Sequence, residues 1–143
     1  MSSGIVDLPR EEIDALLREQ VVGRIGCHAG GLTYVVPVIY AYDGDCLYAH
    51  TLVGQKVAMM RANPDVCFEV DEYGAGSWRS AIVQGRYEEL EGAESEQALA
   101  LLAARFAGRG RSGERPRGDG RSSVSFRIRI GEVTGRAVRL PVA

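Results

Sequence analysis

The part of this sequence with most chemistry to offer is a run of polar residues where an apolar strand gives way to a helix. His50-Thr51-Leu52-Val53-Gly54-Gln55-Lys56 follows Cys46-Leu47-Tyr48-Ala49 and precedes Val57-Ala58-Met59-Met60. The first backbone N–H groups of a helix lack internal partners and carry partial positive charge, so they can hold an anion. Thr51 adds a hydroxyl, Gly54 lets a group approach the backbone closely, and Lys56 adds a full charge. The pattern suits a phosphate seat. It is not the Gly-rich Walker pattern, and an ordinary solvated turn can carry Gly-Gln-Lys as well. The residues alone leave both readings open.

Positioning such a seat requires a strand before it and a helix after it, and the flanking periodicity supplies both. Thr33 to Tyr42 reads as a strand, with Tyr34, Val36, Val38, Tyr40 and Tyr42 on one parity and Val35, Pro37, Ile39 and Ala41 on the other. Both parities are apolar, so neither face is expected to be freely solvated. Pro37 cannot donate to a ladder and belongs at an edge or bulge. Asp43-Gly44-Asp45 is a hairpin turn, and Cys46 to His50 is the return strand. Val53, Val57 and Met60 fall at helical spacing before the stop at Asn63-Pro64.

The rest of the chain continues in short strands. Residues 7 to 18 predict an amphipathic helix, capped by Asp7, with Ile13, Leu16 and Leu17 on its apolar face. Val21 to His28 and Val66 to Val70 predict strands, Asp71 to Gly76 a polar loop, and Trp78 to Leu90 a long strand with a bulge at Gly85. A helix is expected over Glu94 to Ala107. Val124, Phe126, Ile128 and Ile130 alternate with polar residues, and Gly131-Glu132 is expected to bend the chain before a last strand. Between these elements, residues 108–122 are rich in Gly and Arg, with Glu114 and Asp119 the acidic exceptions. That composition predicts a mobile, solvated loop. An anion-meeting flap is the sharper reading, and the interleaved aromatics of a single-strand nucleic-acid binder are missing.

A chain of 143 residues with 45% hydrophobic and 25% charged residues fits a single globular domain over 1–143. The net charge of −2 gives no pull toward nucleic acid or anionic membrane. No apolar run approaches the ~20 residues of a membrane span, and no signal-peptide core is evident. Cys27, Cys46 and Cys67 are odd in number and lie in apolar runs, so neither a disulfide framework nor a metal site is expected, and a reducing cytoplasmic setting is the natural one. Antiparallel hairpins dominate over regular βαβ alternation. The expected fold is mainly β, a small closed or partly closed antiparallel barrel with two or three short flanking helices.

At this level of detail the chain resembles a known family. Thr33-Tyr34-Val35-Val36-Pro37-Val38, Asp43-Gly44, Leu47-Tyr48-Ala49-His50-Thr51, Gly54-Gln55-Lys56, Asn63-Pro64-Asp65-Val66-Cys67-Phe68, Trp78-Arg79-Ser80 before Gly85-Arg86, and Arg127-Ile128-Arg129-Ile130 before Thr134-Gly135-Arg136 follow in order. Together they are similar to the pyridoxamine 5′-phosphate oxidase-like, FMN-binding split-barrel proteins, in the subgroup close to nitroimidazole reductases, over roughly residues 8 to 140.

The resemblance implies a small antiparallel split β-barrel that forms a homodimer, with FMN in a groove between the subunits. It implies that Tyr34, Val36, Pro37 and Val38 line the flavin ring. His50, Thr51, Gln55 and Lys56 would lie toward the phosphate or ring edge, with Lys56 the leading phosphate ligand and Gln55 where full oxidases often place an arginine. Trp78, Arg79 and Ser80 would reach the flavin from the partner chain. Trp78 reads equally well as core or interface packing, and His28 as a surface residue.

The C-terminal segment that recognises pyridoxine phosphate in full oxidases is not seen after Leu140, so that activity is not expected. The implied function is a flavin-dependent oxidoreductase acting on a small electrophile, with the flavin carrying the redox chemistry. No catalytic acid, base or nucleophile stands out in the chain. The alternatives are a non-enzymatic flavin- or haem-binding protein, with His28 or His50 as an axial ligand, and a relative that uses the deazaflavin cofactor.

Overall fold

Residues alternating in polarity every second position build most of this chain into strands, and the computed structural model describes residues 4–107 and 122–139. In chain order the elements are β1 (Ile5–Asp7), α1 (Arg10–Glu19), β2 (Val22–Ala29), β3 (Leu32–Ile39), β4 (Ala41–Tyr42), β5 (Cys46–Leu52), α2 (Gln55–Ala62), β6 (Asp65–Gly74), β7 (Ser77–Leu90), α3 (Gly92–Phe106) and β8 (Ser123–Arg139). All pairings are antiparallel, in the order β3-β2-β6-β7-β8-β5-β4, with β1 added to β8. The two ends of that order are consecutive in sequence: β3 pairs with β2, and one residue later β4 pairs with β5. The sheet therefore curls back on itself without closing. This is the split-barrel architecture expected from the sequence.

The inside of the curl is filled by the parity that begins at Tyr34. Val38, Tyr40 and Tyr42 are buried with Ile25, Leu47, Phe68, Val70, Val83 and Phe126, and α1 contributes Leu16 and Leu17. Tyr40 meets Phe68 edge-on at 4.9 Å, and its hydroxyl donates to the Leu17 carbonyl, which satisfies the polar tip of a ring otherwise placed for packing. Gly23 is required here because a Cβ would sit 2.1 Å from the Phe68 ring.

Several expectations are corrected. Asp7 does not cap α1: it lies in β1 opposite Arg136, and Pro9 occupies the N-cap position without a side-chain cap bond. Val53 precedes α2 rather than starting it. Asp71 to Gly74 is strand, not loop, because its ladder with Ser77–Ser80 continues to a tight turn at Gly76, whose φ is +82°. Gly131-Glu132 does not divide the last strand. The long β7 partner holds it continuous, and a register shift at Gln84/Gly85 absorbs the irregularity.

Within one chain, the other parity of β3 is left uncovered. Val35 is 61% and Ile39 54% exposed, although the sequence suggested that both faces would be covered. Register places Val35, Pro37 and Ile39 of β3 opposite Gly26, Arg24 and Val22 of β2, with Cys67 and Glu69 of β6 and Ile82 of β7 continuing the same outward face. Val22 and Ile82 are exposed as well. These exposed apolar side chains share the outward face with an ionic cluster, in which Arg24 Nη1 donates to Glu69 and Asp71 at 3.2 Å each.

Candidate functional site

The β5–α2 junction forms as its spacing suggests. β5 runs to Leu52, and α2 starts at Gln55 with Gly54 at its N-cap. No side chain caps that helix, so its first N–H groups are open to an external acceptor. A Cβ on Gly54 would touch nothing within 4 Å, which leaves the approach to the helix start clear. Lys56 in the first turn is half-buried, and among the described residues it has no carboxylate partner. Burial lowers its pKa, and the nearby Cys27 thiol only partly opposes that shift. A half-buried lysine in the first turn of a helix that no side chain caps has the chemistry of an anion site.

His50 and Thr51, treated together in the sequence, point to opposite faces because they are neighbours on a strand. Thr51 shares its parity with the buried Leu47 and Ala49 and lies opposite Val124. His50 shares its parity with Tyr48, faces outward, and sets Nδ1 2.9 Å from Ser125 Oγ. Gln55 is exposed, with Nε2 4.0 Å from the Met59 sulfur. Tyr34 and Val36 are partly covered and Val38 is buried, all on the core-facing parity, whereas Pro37 is exposed on the outward face.

Trp78, Arg79 and Ser80 lie at the start of β7, apart from the β5–α2 junction. Trp78 is half-buried opposite Tyr73 and Val138. Arg79 is committed within the chain, donating to Glu72 at 2.8 Å and Glu19 at 3.3 Å. Ser80 lines a cleft of about 740 Å³ with Ile82, Thr134 and Arg136 at the outer end of α1. A second cleft of about 740 Å³ runs along the outward sheet face, between His28, Val35, Cys67, Gln84 and Arg86. The sequence-predicted residues thus fall into three groups on one chain, one on β3, one at the β5–α2 junction and one at the β7 start. Among the described residues no cluster of His, Cys, Asp and Glu could hold a metal ion.

Sequence reasoning missed Ser125. Its alternation with Phe126 marked it as solvent-facing, yet it is 2% exposed. The cause is α3, which packs over that face of β5 and β8: Arg127 Nη1 donates to Glu94 at 2.9 Å, and Tyr48, Leu90, Ala98, Leu101 and Arg127 line a small cavity there. Beside it, Tyr48 donates to Asp43 at 2.8 Å, and its pKa is pushed up to about 12 by burial and then by that carboxylate. The only signal in the sequence was a short hydroxyl side chain facing a histidine at equal offset in two paired strands.

The profile of the family described as pyridoxamine 5′-phosphate oxidase matches residues 9–137. A crystal structure of an FAD-binding protein from Mesorhizobium loti is 37% identical, with a TM-score of 0.79 over 94% of this chain and 96% of that one. The structure of a candidate 5-nitroimidazole antibiotic resistance protein from Bacteroides thetaiotaomicron shares the fold, with a TM-score of 0.75 over 96% of this chain and 89% of that one, at 21% identity. An uncharacterised protein of Rhizobium meliloti is 36% identical over 84 residues, which span 58% of this chain and 56% of that relative.

Proposed function

This chain belongs to the pyridoxamine 5′-phosphate oxidase family, and from that membership we propose that it is a flavin-binding oxidoreductase of the split-barrel type. The observation that carries the reading is Lys56, desolvated and without a carboxylate partner among the described residues, at the uncapped start of α2. The residues fit a flavin phosphate: α2 amides and the Lys56 ammonium accept its charge, and Thr51 offers a hydroxyl at the strand end. His50 and Pro37 lie on outward faces suited to the ring edge and ring plane. When bound, the flavin supplies two-electron exchange between a reductant and a small electrophile. The protein seats the phosphate, fixes the ring and shapes the approach.

The active unit in this reading is a homodimer. The exposed apolar side chains Val22, Val35, Ile39 and Ile82, grouped on one face of β2, β3 and β7, support it, since apolar side chains gathered among polar ones on one face mark an interaction surface. Trp78 and Ser80 would then serve the neighbouring chain's cofactor. FMN, with its one terminal phosphate, is the cofactor we assign to the anion seat at the start of α2. FAD is the second reading, favoured by the Mesorhizobium loti protein described as FAD-binding at 37% identity.

The test is the visible spectrum of the purified protein, followed by release and identification of the cofactor and by titration of stripped protein with FMN and FAD. Retained flavin that a nicotinamide donor reduces and a nitroaromatic or quinone reoxidises is the expected result. A protein that binds neither flavin overturns the proposal, and one that holds flavin which no donor reduces leaves binding without enzyme activity.

A further inference from the structure

We infer that Ser125 is a positioning residue that fixes His50 as its Nε2–H tautomer and presents that N–H outward, beside the proposed flavin seat, as an oriented hydrogen-bond donor. The inference rests on the flavin reading above for what the donor meets, and on geometry alone for the tautomer.

Ser125 lies directly across the β5–β8 ladder from His50, with Oγ 2.9 Å from Nδ1. It is the only buried polar residue among those described. Among the described residues, His50 Nδ1 is the only acceptor within reach of its hydroxyl hydrogen. Had the serine oxygen accepted from an Nδ1–H, the hydroxyl hydrogen would be shut away from water without a partner, which costs more than leaving an oxygen lone pair unused. The satisfied arrangement has Ser125 donating to Nδ1, and the neutral ring then carries its hydrogen on Nε2.

Tethering Nδ1 to a buried group aims Nε2 away from the sheet, on the exposed side of the ring. His28 provides the contrast within the same chain. Its Nδ1 is 3.0 Å from Thr33 Oγ1, but both residues are exposed, so water can complete either tautomer. A fixed Nε2–H suits an electron-rich acceptor, either a flavin ring oxygen or nitrogen or an oxygen of the electrophile.

The experiment reads the imidazole nitrogens of cofactor-free protein by long-range proton–nitrogen correlation, well above the ordinary histidine titration range. His28 is the internal reference. The wild-type chain is expected to show His50 protonated at Nε2 alone, and Ser125→Ala to draw its two nitrogen resonances toward each other as both tautomers populate. A wild-type His50 that is protonated at Nδ1, or as mixed as His28, overturns the inference without any variant having to fold.

In the flavin-loaded protein, Ser125→Ala is expected to shift the flavin absorption band and weaken flavin binding roughly fivefold, the loss of one oriented neutral hydrogen bond. Adding Ser125→Ala to His50→Ala is expected to change nothing further, since the serine acts through the histidine. Additive losses, or an unchanged flavin band in Ser125→Ala, overturn the donor role. A wild-type chain that binds no flavin instead sinks the functional reading and leaves the tautomer result standing.

Discussion

Lys56 shows how a single side chain trades stability for binding. Burial depresses its pKa, so the folded chain releases that proton at a lower pH than the unfolded chain does. Its charge therefore costs stability at neutral pH, and the cost is relieved as pH rises from the lowered folded value to the ordinary lysine value. Lys56→Met is expected to raise the melting temperature of the cofactor-free protein and to weaken flavin binding by roughly tenfold or more, the scale of a lost charge-assisted contact. Calorimetry and a flavin fluorescence titration would check the two halves, and unchanged flavin affinity would remove Lys56 from the phosphate seat.

Glu69 titrates in the opposite sense. Burial first, then the adjacent Asp71, push its pKa up to about 7, against the pull of Arg24. Between the ordinary carboxylate value and about 7 the folded chain keeps a proton that the unfolded chain has lost, so stability falls as pH rises through that window. Glu69→Gln should therefore stabilise the fold by on the order of 1 kcal/mol at about pH 8 and by little at about pH 5. Urea unfolding at the two pH values decides it.

Among the elements, the helices are held by contacts that their own sequences do not contain. The C-terminal turn of α1 leaves carbonyls without partners, and Arg105 from α3 supplies them, its Nη2 donating to Arg18, Glu19 and Gln20 at 2.9 to 3.2 Å. Arg105→Ala is expected to cost about 1–2 kcal/mol and to speed amide exchange in the last turn of α1. The β7–β8 pair sets a stricter condition. At the register shift a Cβ on Gly85 would lie 2.6 Å from Ile128 Cγ2 and 2.7 Å from the Arg129 carbonyl oxygen. The second of these is backbone and cannot turn aside. Gly85→Ala should lose about 2–3 kcal/mol of stability, measured by denaturant unfolding.

For the molecule as a whole, the curl of the sheet puts one parity of β3 inside and leaves the other as an exposed apolar surface. Val35, Ile39 and Ile82 stand on it, between the Arg24 cluster and the polar residues His28, Gln84 and Arg86 that line the cleft beside Val35. A second copy is the proposed cover. Light scattering should report a dimer for the wild-type chain and a monomer for Ile39→Glu, because an unpaired carboxylate cannot be buried there without a cost of several kcal/mol. Should the dimer complete the flavin groove, the same substitution would also weaken flavin binding, although Ile39 is distant in sequence from Lys56. A wild-type monomer would end the dimer proposal.

Periodicity located most of the strands, the two longer helices and the mainly antiparallel β class, while the split barrel came from the family resemblance. A side chain's parity follows directly from sequence in an extended backbone, so Tyr34, Val38 and Tyr40 could be grouped before any fold was known. The helix-start chemistry of Gly54 and Lys56 was legible for the same local reason. What lies across a strand or over a face is not local. Register put Ser125 opposite His50, α3 then buried it, and the ladder with Ser77–Ser80 turned Asp71 to Gly74 from loop into strand. The exposure of Val35 and Ile39 was likewise decided only when the sheet curled and chose an inside. The Gly- and Arg-rich stretch over 108–122, read from composition as a mobile loop, lies outside the described residues except for Ser122. Sequence fixes each side chain's direction relative to its own backbone, and tertiary structure alone decides what that direction meets.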